Sequence, residues 1–388
     1  MTQKDFSEIR KRLQAEKRAA TLIRGWYVDA TGKVLTSFKT PVGLIPQAEY
    51  EKYMVLFKKT LSGTVDQNLI DVPVKADDSG NPCYMQLMEL CKSELEDDAI
   101  AEIMFTKVAQ AMLKENGDLS QSVDELKKAP NMLILLLYDS FDVAYRHPDG
   151  EQELEMSEAV FNYVLCAVCP VKQGKDSLTY SDADAAFIAR PADWSVLAPT
   201  MGFMYPAYDS GNMNISSASV YTKDASNLHE DFLKDVFDYE PLMSATMQSA
   251  TLCDILQNTL QEECSMEVIQ SVTGTVNAIV AEQKEDKDAE PAKIGGREVS
   301  EILTSCGVSE EKVQAFTTGF QEAFGENELP AINVMPTREF KVQTPSVQIK
   351  VAPDHADLVT TRLIDGQRYI MILADGNVEV NGVNITIQ

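Results

Sequence analysis

The stretch Met132-Leu133-Ile134-Leu135-Leu136-Leu137-Tyr138 decides the fold of this chain, because it is apolar throughout and bounded by Pro130 and Asp139. An apolar run of strand length, without alternation, is typical of a strand buried on both faces of a sheet. The segment from Phe161 to Val171 has the same character. Together these segments predict a central sheet, mixed or antiparallel, with other elements covering both of its faces.

Helical patterns occur on both sides of these strands. Apolar residues recur at three- and four-residue spacing from Tyr50 to Leu61, and again within a helical region from about Tyr84 to Leu113. Further helices are predicted up to Val280, the first of them over about Ala225 to Phe237. We therefore predict an α+β fold in which helices pack on the central sheet.

The length of 388 residues exceeds the usual limit of a single hydrophobic core and favours two domains. Residues 284–293 contain no large apolar side chain and are predicted to be a linker. This gives a main α+β domain at 1–283 and a C-terminal domain at 294–388. The C-terminal domain is predicted to contain a helical pair at 297–324 and a small β module at 338–388, where apolar and polar residues alternate between hairpin turns.

The charge balance limits the class of partner. Sixty acidic side chains against 34 basic ones give a net charge of −26, which repels polyphosphates and anionic lipid headgroups. Nucleic acid is therefore disfavoured as a partner, and no membrane association is expected. The first forty residues differ, with nine basic against four acidic side chains. We expect this segment to bind the acidic body of its own chain or of another subunit, so the expected partner is a second copy or another protein.

Cysteine usage and the absence of targeting patterns favour the cytoplasm. Seven cysteines, an odd number, are scattered through apolar segments of a long chain, as is typical of reduced thiols. The first residues contain no apolar signal-peptide core, and no stretch approaches the roughly 20 apolar residues that a membrane span requires.

The sequence contains no complete catalytic motif of a common type. A phosphate-binding glycine loop and a nucleophile elbow are absent, and His229-Glu230 lacks the second histidine of a zinc-protease helix. His147 lies in His147-Pro148-Asp149-Gly150, a composition typical of a turn. No cofactor is predicted on these grounds.

Cys166-Ala167-Val168-Cys169 has the spacing of a metal or redox motif, but it lies in a segment predicted to be an apolar strand. A structural zinc site needs four ligands, and Cys166 and Cys169 supply two. Residues i and i+3 of a strand point to opposite faces. A zinc site and a redox dithiol stay open as interpretations, but we favour buried free thiols, because free cysteine packs as a small hydrophobe.

Three aspartates are the best candidates for catalysis. Asp139 and Asp142 are predicted to lie just past the end of the buried strand, and Asp209 follows an aromatic run that begins at Gly202. Carboxylates at strand ends can hold a divalent cation or act as general acid and base. The alternative is that these aspartates only cap turns, and the lack of a basic or histidine partner at fixed spacing favours it.

Segments spread over nearly the whole chain carry a family resemblance: Leu61-Ser62-Gly63-Thr64, Asp139–Val143, Leu165–Val171, Gly202–Asp209, Ile364-Asp365-Gly366 and Val378–Val383. In this order they resemble a bacterial family, found chiefly in Firmicutes, that is known as domain of unknown function 4317. The resemblance implies a bacterial cytosolic protein, and it implies neither an activity nor site residues. Relatives often have an arginine shortly after the aspartate that corresponds to Asp209. Here Ser210-Gly211 follows instead, which weakens an Asp–Arg catalytic pair.

The residues leave two hypotheses about function open. The leading one is a non-catalytic binding or assembly protein, because the catalytic constellation is incomplete and the N-terminal segment and the body carry opposite charge. The alternative is an enzyme, a metal-assisted hydrolase or phosphotransfer protein that uses Asp139, Asp142 and Asp209.

Overall fold

The computed structural model describes residues 1–76, 80–115, 130–143, 145–146, 152–153, 160–190, 192–241, 243–285, 290–335, 339–374, 376 and 378–386. Helix accounts for 40% and strand for 31% of the structure, which confirms the α+β prediction. By their internal contacts the residues form two compact units, Met1–Ser244 and Ala245–Gln388.

The first unit contains a large sheet and the helices that cover it. Its strands are β1 (Leu22–Val28), β2 (Val34–Pro41), β3 (Leu69–Pro73), β4 (Asn131–Asp142), β5 (Tyr145–Arg146), β6 (Gln152–Glu153), β7 (Val160–Gln173), β8 (Ser177–Ser181), β9 (Ala186–Arg190), β10 (Trp194–Val196), β11 (Met201–Tyr205), β12 (Ala207–Asp209), β13 (Asn212–Asn214) and β14 (Ser217–Thr222). Its helices are α1 (Gln3–Arg12), α2 (Gln47–Lys59), α3 (Pro82–Lys92), α4 (Asp98–Glu115), α5 (Glu230–Phe237) and a 3-10 helix at Val42–Leu44.

An eight-stranded sheet, counted over the described residues, is the centre of the first unit. Its strands lie in the order β2-β1-β4-β7-β11-β14-β3, and β10 pairs with the end of β7. Each of these pairings is antiparallel, so of the two predicted kinds of sheet, mixed and antiparallel, the structure has the antiparallel one. Strand β4 pairs with β7 over the whole length of β4, from Asn131 opposite Val171 to Asp142 opposite Val160.

The apolar run in β4 has no alternation because both faces of the sheet are covered. Ile134 and Leu136 belong to a core that also contains side chains of α3, α4 and α5. Leu135 and Leu137 belong to a second core, formed with α1 and α2. Successive side chains of a strand point to opposite faces, so both cores draw on the same strand. The prediction of a strand buried on both faces is confirmed.

The helical region predicted from about Tyr84 to Leu113 consists of two helices, α3 and α4. Between them Leu95 has left-handed backbone, with a φ of 60°. The buried guanidinium of Arg24 donates to the carbonyl oxygens of Leu95 at 2.6 Å and Glu96 at 3.0 Å, and to the carboxylate of Asp98 at 2.7 Å. Arg24 thereby satisfies carbonyl groups of the connection between α3 and α4.

The helix predicted over about Ala225 to Phe237 begins only at Glu230, so the predicted start is wrong. Asp224 accepts a hydrogen bond from the N–H of Ser226, and the side chain of Asn227 accepts one from the N–H of His229. Such local bonds between a side chain and the neighbouring backbone favour turns over helix. The helix therefore starts after the last of these turns.

The second unit contains the predicted helical pair and β module. Its helices are α6 (Ala245–Leu260), α7 (Met266–Glu285), α8 (Gly296–Ser305), α9 (Glu310–Phe324), α10 (Ala331–Val334) and 3-10 helices at Gln261–Glu263 and Pro353–Leu358. Its strands are β15 (Lys293–Ile294), β16 (Leu329–Pro330), β17 (Phe340–Gln343), β18 (Gln348–Val351), β19 (Val359–Ile364), β20 (Gln367–Ile372), β21 (Val378–Val380) and β22 (Val383–Ile385). The pair is α8 and α9. Within residues 339–374 and 378–386 the module consists of three separate hairpins, β17–β18, β19–β20 and β21–β22.

The two units divide the chain at a different place from the predicted domains. Helix α6 precedes the predicted linker at 284–293, and α7 extends into it as far as Glu285. Both helices belong to the second unit, where α6 packs against α9. The division into domains at 1–283 and 294–388 stays a prediction.

Candidate functional site

Asp139 lies inside β4 and is fully buried, so the prediction that it follows the end of the strand is wrong. The guanidinium of Arg12 donates to both carboxylate oxygens, with Nε 3.0 Å from Oδ2 and Nη2 3.2 Å from Oδ1. The hydroxyl of Tyr163 donates to Oδ2 at 2.9 Å. Arg12 also lies over the ring of Phe141, 3.9 Å from its centroid. A carboxylate engaged in this way fastens α1 to the sheet and leaves little capacity for a metal ion.

The other two predicted catalytic aspartates lie elsewhere. Asp142 is exposed at the end of β4, three residues from Asp139, and residues at that spacing point to opposite faces of a strand. Asp209 is exposed at the end of β12. Burial raises the pKa of Asp71, against the effect of the paired Met1 amine, and the nearby carboxylates of Asp209 and Asp5 raise it further. Asp209 thus belongs to an acidic group around the N-terminal amine, and the structure does not bring it together with Asp139.

Cys166 and Cys169 lie in β7 with both thiols buried. Cys166 belongs to the core with α3, α4 and α5, whereas Cys169 belongs to the core with α1 and α2, so the two sulfurs point to opposite faces. Burial raises the pKa of Cys166 well above its usual range and that of Cys169 to about 12. In the described part of the chain, no group of three or more Cys, His, Asp or Glu side chains is placed to hold a metal. This geometry favours buried free thiols.

His229 forms a buried pair with Glu115, in which the imidazole Nδ1 contacts the carboxylate. His229 has a φ of 54° and immediately precedes α5. Beside it, Lys114 pairs with Asp235 at 2.7 Å. The two pairs connect the end of α4 to α5, which is a structural role. His147, the histidine of the predicted turn, lies outside the described residues.

The feature that sequence reasoning left without a function is the β19–β20 hairpin of the second unit. Its large apolar side chains are exposed, from 37% for Ile370 to 71% for Leu363. We define the hairpin surface as these exposed residues: Leu363, Ile364, Tyr369, Ile370, Met371, Ile372 and Leu373. Exposed apolar clusters of this kind are typical of interaction sites.

The hairpin surface extends over both faces of the ribbon. Residues directly opposite each other in an antiparallel pair lie on the same face. Ile370 opposite Thr361 and Ile372 opposite Val359 lie on one face, and Tyr369 opposite Arg362 lies on the other, together with Ile364 and Met371. A signal for this was present in the sequence, since Tyr369-Ile370-Met371-Ile372-Leu373 is an apolar run without alternation. Such a run predicts two covered faces, as in β4, but a two-stranded ribbon covers neither.

Two other hairpins have exposed apolar side chains. In β21–β22, Val380, Val383 and Ile385 lie on one face. In β8–β9, which belongs to the first unit, Leu178 and Phe187 lie on one face and Ile188 lies on the other. The β19–β20 hairpin differs from both because it carries more exposed large apolar side chains.

Two arginines accompany the hairpin surface. Arg362 is in β19 and Arg368 is in β20, and both side chains are exposed. Within the described residues neither guanidinium makes an ion pair, although the chain as a whole carries a net charge of −26. An exposed apolar ribbon with free guanidinium groups is suited to an apolar surface with an acidic rim.

Comparisons with known proteins identify the family of the chain. Among the described helices, none has the length and apolar character to cross a membrane. No curated protein and no solved structure is significantly similar to the chain. A family sequence model matches residues 1–383, which confirms the resemblance noted in the sequence. The chain therefore belongs to the family described as Domain of unknown function (DUF4317).

Proposed function

We propose that this chain is a non-catalytic assembly protein whose copies associate through the hairpin surface. The observation that carries the proposal is the exposure of Leu363, Ile370 and Ile372, at 71%, 37% and 57%, on one small ribbon. Association removes such side chains from water, and burying one large aliphatic side chain contributes about 1.5–3 kcal/mol.

The architecture of the hairpin supports the proposal. A two-stranded ribbon is marginally stable in water, and a third strand or a packed surface normally supports it. The β19–β20 hairpin pairs with no further strand among the described residues. Its outer edges therefore present backbone N–H and C=O groups that a strand or surface of another molecule can satisfy.

A second copy of the chain is the partner that the charges favour. Arg362 and Arg368 attract an acidic surface, and the chain itself carries 60 acidic against 34 basic side chains. Repeated use of one surface by identical copies gives closed symmetric oligomers, the commonest kind of soluble assembly. The enzyme alternative lacks a comparable observation, because Asp139 is engaged by Arg12 and Tyr163.

The proposal also includes a bacterial origin and a cytoplasmic location. The bacterial origin is supported by the family resemblance. The cytoplasmic location is supported by the cysteines, all seven of which lie in the described residues as free thiols. Free thiols, two of them in a single strand, are typical of a reducing compartment.

Light scattering after size-exclusion chromatography tests the proposal. We expect the wild-type chain to elute with a multiple of its mass of 43.0 kDa. We expect Ile370→Glu combined with Ile372→Glu to raise the dissociation constant by at least about 100-fold, since each lost anchor costs about 1.4 kcal/mol or more. Circular dichroism checks that the variant stays folded, as expected for side chains that are exposed in the single chain.

The matched control is Val55→Glu, which adds the same charge at an exposed apolar residue of helix α2. We expect this control to associate like the wild type. A wild-type chain that stays monomeric over the micromolar range would contradict the proposal. So would a loss of association in Leu178→Glu, in the β8–β9 hairpin, together with normal association of the Ile370→Glu/Ile372→Glu variant.

A further inference from the structure

A groove in the second unit supplies a surface that fits the hairpin. Helix α7 and the 3-10 helix Pro353–Leu358 form the walls of this open groove, which has a volume of about 810 Å³. The side chain of Gln270 holds the two walls together, because its Nε2 donates to the carbonyl oxygens of Ala356 at 2.6 Å and Val359 at 2.8 Å. The groove is therefore formed within the single chain, before any partner binds.

The floor of the groove is built from small side chains on one side of α7. Ser271, Gly274, Ala278 and Ala281 recur at three- and four-residue spacing along the groove. A Cβ atom added at Gly274 would meet no atom within 4 Å, so the space above this position is open. Small side chains let another backbone approach a helix closely, and the floor thus fits the edge of a ribbon.

The rim of the groove is acidic. Glu267 contributes a carboxylate from α7, and Asp354 and Asp357 contribute two from the 3-10 helix. Over the described residues, these carboxylates do not form a group that could hold a metal ion. The rim is thus suited to guanidinium groups, whose several N–H donors can donate to separate carboxylates.

We propose that this groove receives the β19–β20 hairpin of a second copy edge-on, so that Arg362 and Arg368, which lie on opposite faces of the ribbon, pair with carboxylates of the two walls. The inference rests on the proposed self-association and names the surface that accepts the hairpin. In the single chain Arg362 and Arg368 are exposed, so the hairpin does not occupy the groove of its own chain.

The chain order makes the contact reciprocal. The 3-10 helix that forms one wall ends at Leu358, and β19 begins at Val359, so groove and hairpin are continuous. When two copies are related by a two-fold axis, the hairpin of each copy lies over the groove of the other. The assembly is then a closed dimer with two identical contacts.

A charge exchange between groove and hairpin tests the inference. One variant carries Asp354→Arg with Asp357→Arg, and the other carries Arg362→Glu with Arg368→Glu. Each variant alone places like charges in both contacts of its dimer, so we expect its dissociation constant to rise at least tenfold. An equimolar mixture places opposite charges in both contacts, so we expect it to recover the wild-type mass by light scattering and native mass spectrometry.

The outcomes separate this inference from the proposed function. Association of the wild type, loss of association in both variants and recovery in the mixture support the inference. If both variants lose association and their mixture does not recover, the groove does not accept the hairpin. If the variants associate like the wild type, the groove is again excluded, and self-association through another surface remains. A monomeric wild type overturns both proposals.

Blocking the floor gives a second readout that does not depend on charge. Gly274→Leu fills the open space, and we expect it to weaken association at least tenfold. Gly274→Ala is the matched control, because it adds one methyl group and leaves most of the groove open. Equal association of Gly274→Leu and Gly274→Ala would contradict the inference, provided that circular dichroism shows both variants to be folded.

Discussion

The buried side chain of Asp139 stabilises the fold from within the sheet. Its carboxylate accepts hydrogen bonds from Arg12 and Tyr163 and has no exposed surface. Replacing it with asparagine removes the negative charge while keeping the shape. Arg12 then loses its counter-charge in a partly buried position, which is costly.

We expect Asp139→Asn to lower the free energy of unfolding by about 2 kcal/mol. Urea denaturation followed by the fluorescence of Trp26, which is buried against Phe105, measures this change. Asp142→Asn is the matched control, since Asp142 is exposed in the same strand, and we expect a change within about 0.5 kcal/mol. Equal effects of the two substitutions would contradict this account.

The role of Asp139 could not be predicted from its surroundings in the sequence. Its partners Arg12 and Tyr163 are 127 and 24 residues away along the chain. An aspartate at the end of an apolar run predicts a turn, and only the pairing of β4 with β7 up to Val160 extends the strand beyond it. The burial of Cys166 and Cys169 was predictable, because an unbroken apolar run depends on local sequence alone.

At the scale of elements, β11 lies close to β7 because position 202 has no side chain. A Cβ atom added at Gly202 would lie 2.3 Å from the carbonyl oxygen of Cys166 and 2.8 Å from Cγ2 of Thr60. The first of these is a backbone atom of the neighbouring strand, which cannot move away without disturbing the sheet.

We expect Gly202→Ala to lower the free energy of unfolding by about 2 kcal/mol through overpacking. The same urea titration measures the effect. Gly43→Ala is the control, because a Cβ atom at Gly43 would meet no atom within 4 Å. A Gly202→Ala variant as stable as the Gly43→Ala variant would show that the two strands can separate at little cost.

Elements whose cause is local were predictable, and elements that depend on distant contacts were not. The apolar runs of β4 and β7 and the alternating residues of the C-terminal hairpins led to the correct kinds of structure. The break between α3 and α4 depends on Arg24, which lies 71 residues before Leu95 and stabilises the break from β1. The hairpin surface had a local signal, but that signal does not tell which molecule covers it.

At the scale of the whole molecule, buried thiols make the free energy of unfolding fall with rising pH in the alkaline range. Burial raises the pKa of Cys91 and of Cys169 to about 12, from an ordinary value of 9.0. Above pH 9 these thiols lose their protons in the unfolded chain, while the folded chain keeps them up to about pH 12. The contribution of these thiols to the free energy of unfolding is therefore fully present below pH 9 and is lost as the pH rises towards 12.

We expect each such thiol to lower the free energy of unfolding by about 1.4 kcal/mol for each pH unit above 9. Urea midpoints at pH 8, 9 and 10 measure the slope. Cys166→Ala combined with Cys169→Ala is the matched variant, and we expect a smaller loss between pH 9 and pH 10 than in the wild type. An unchanged slope would mean that other groups cause the alkaline loss.

Among the described residues both edges of the β19–β20 ribbon are unpaired, and this would make the lifetime of the protein depend on its abundance. In a monomer the ribbon is accessible to proteases, which bind substrates as extended strands. In the proposed assembly the β19–β20 ribbon is buried. Proteases would then degrade mainly the monomeric protein. The amount of protein in the cell would drop steeply below the concentration at which copies pair.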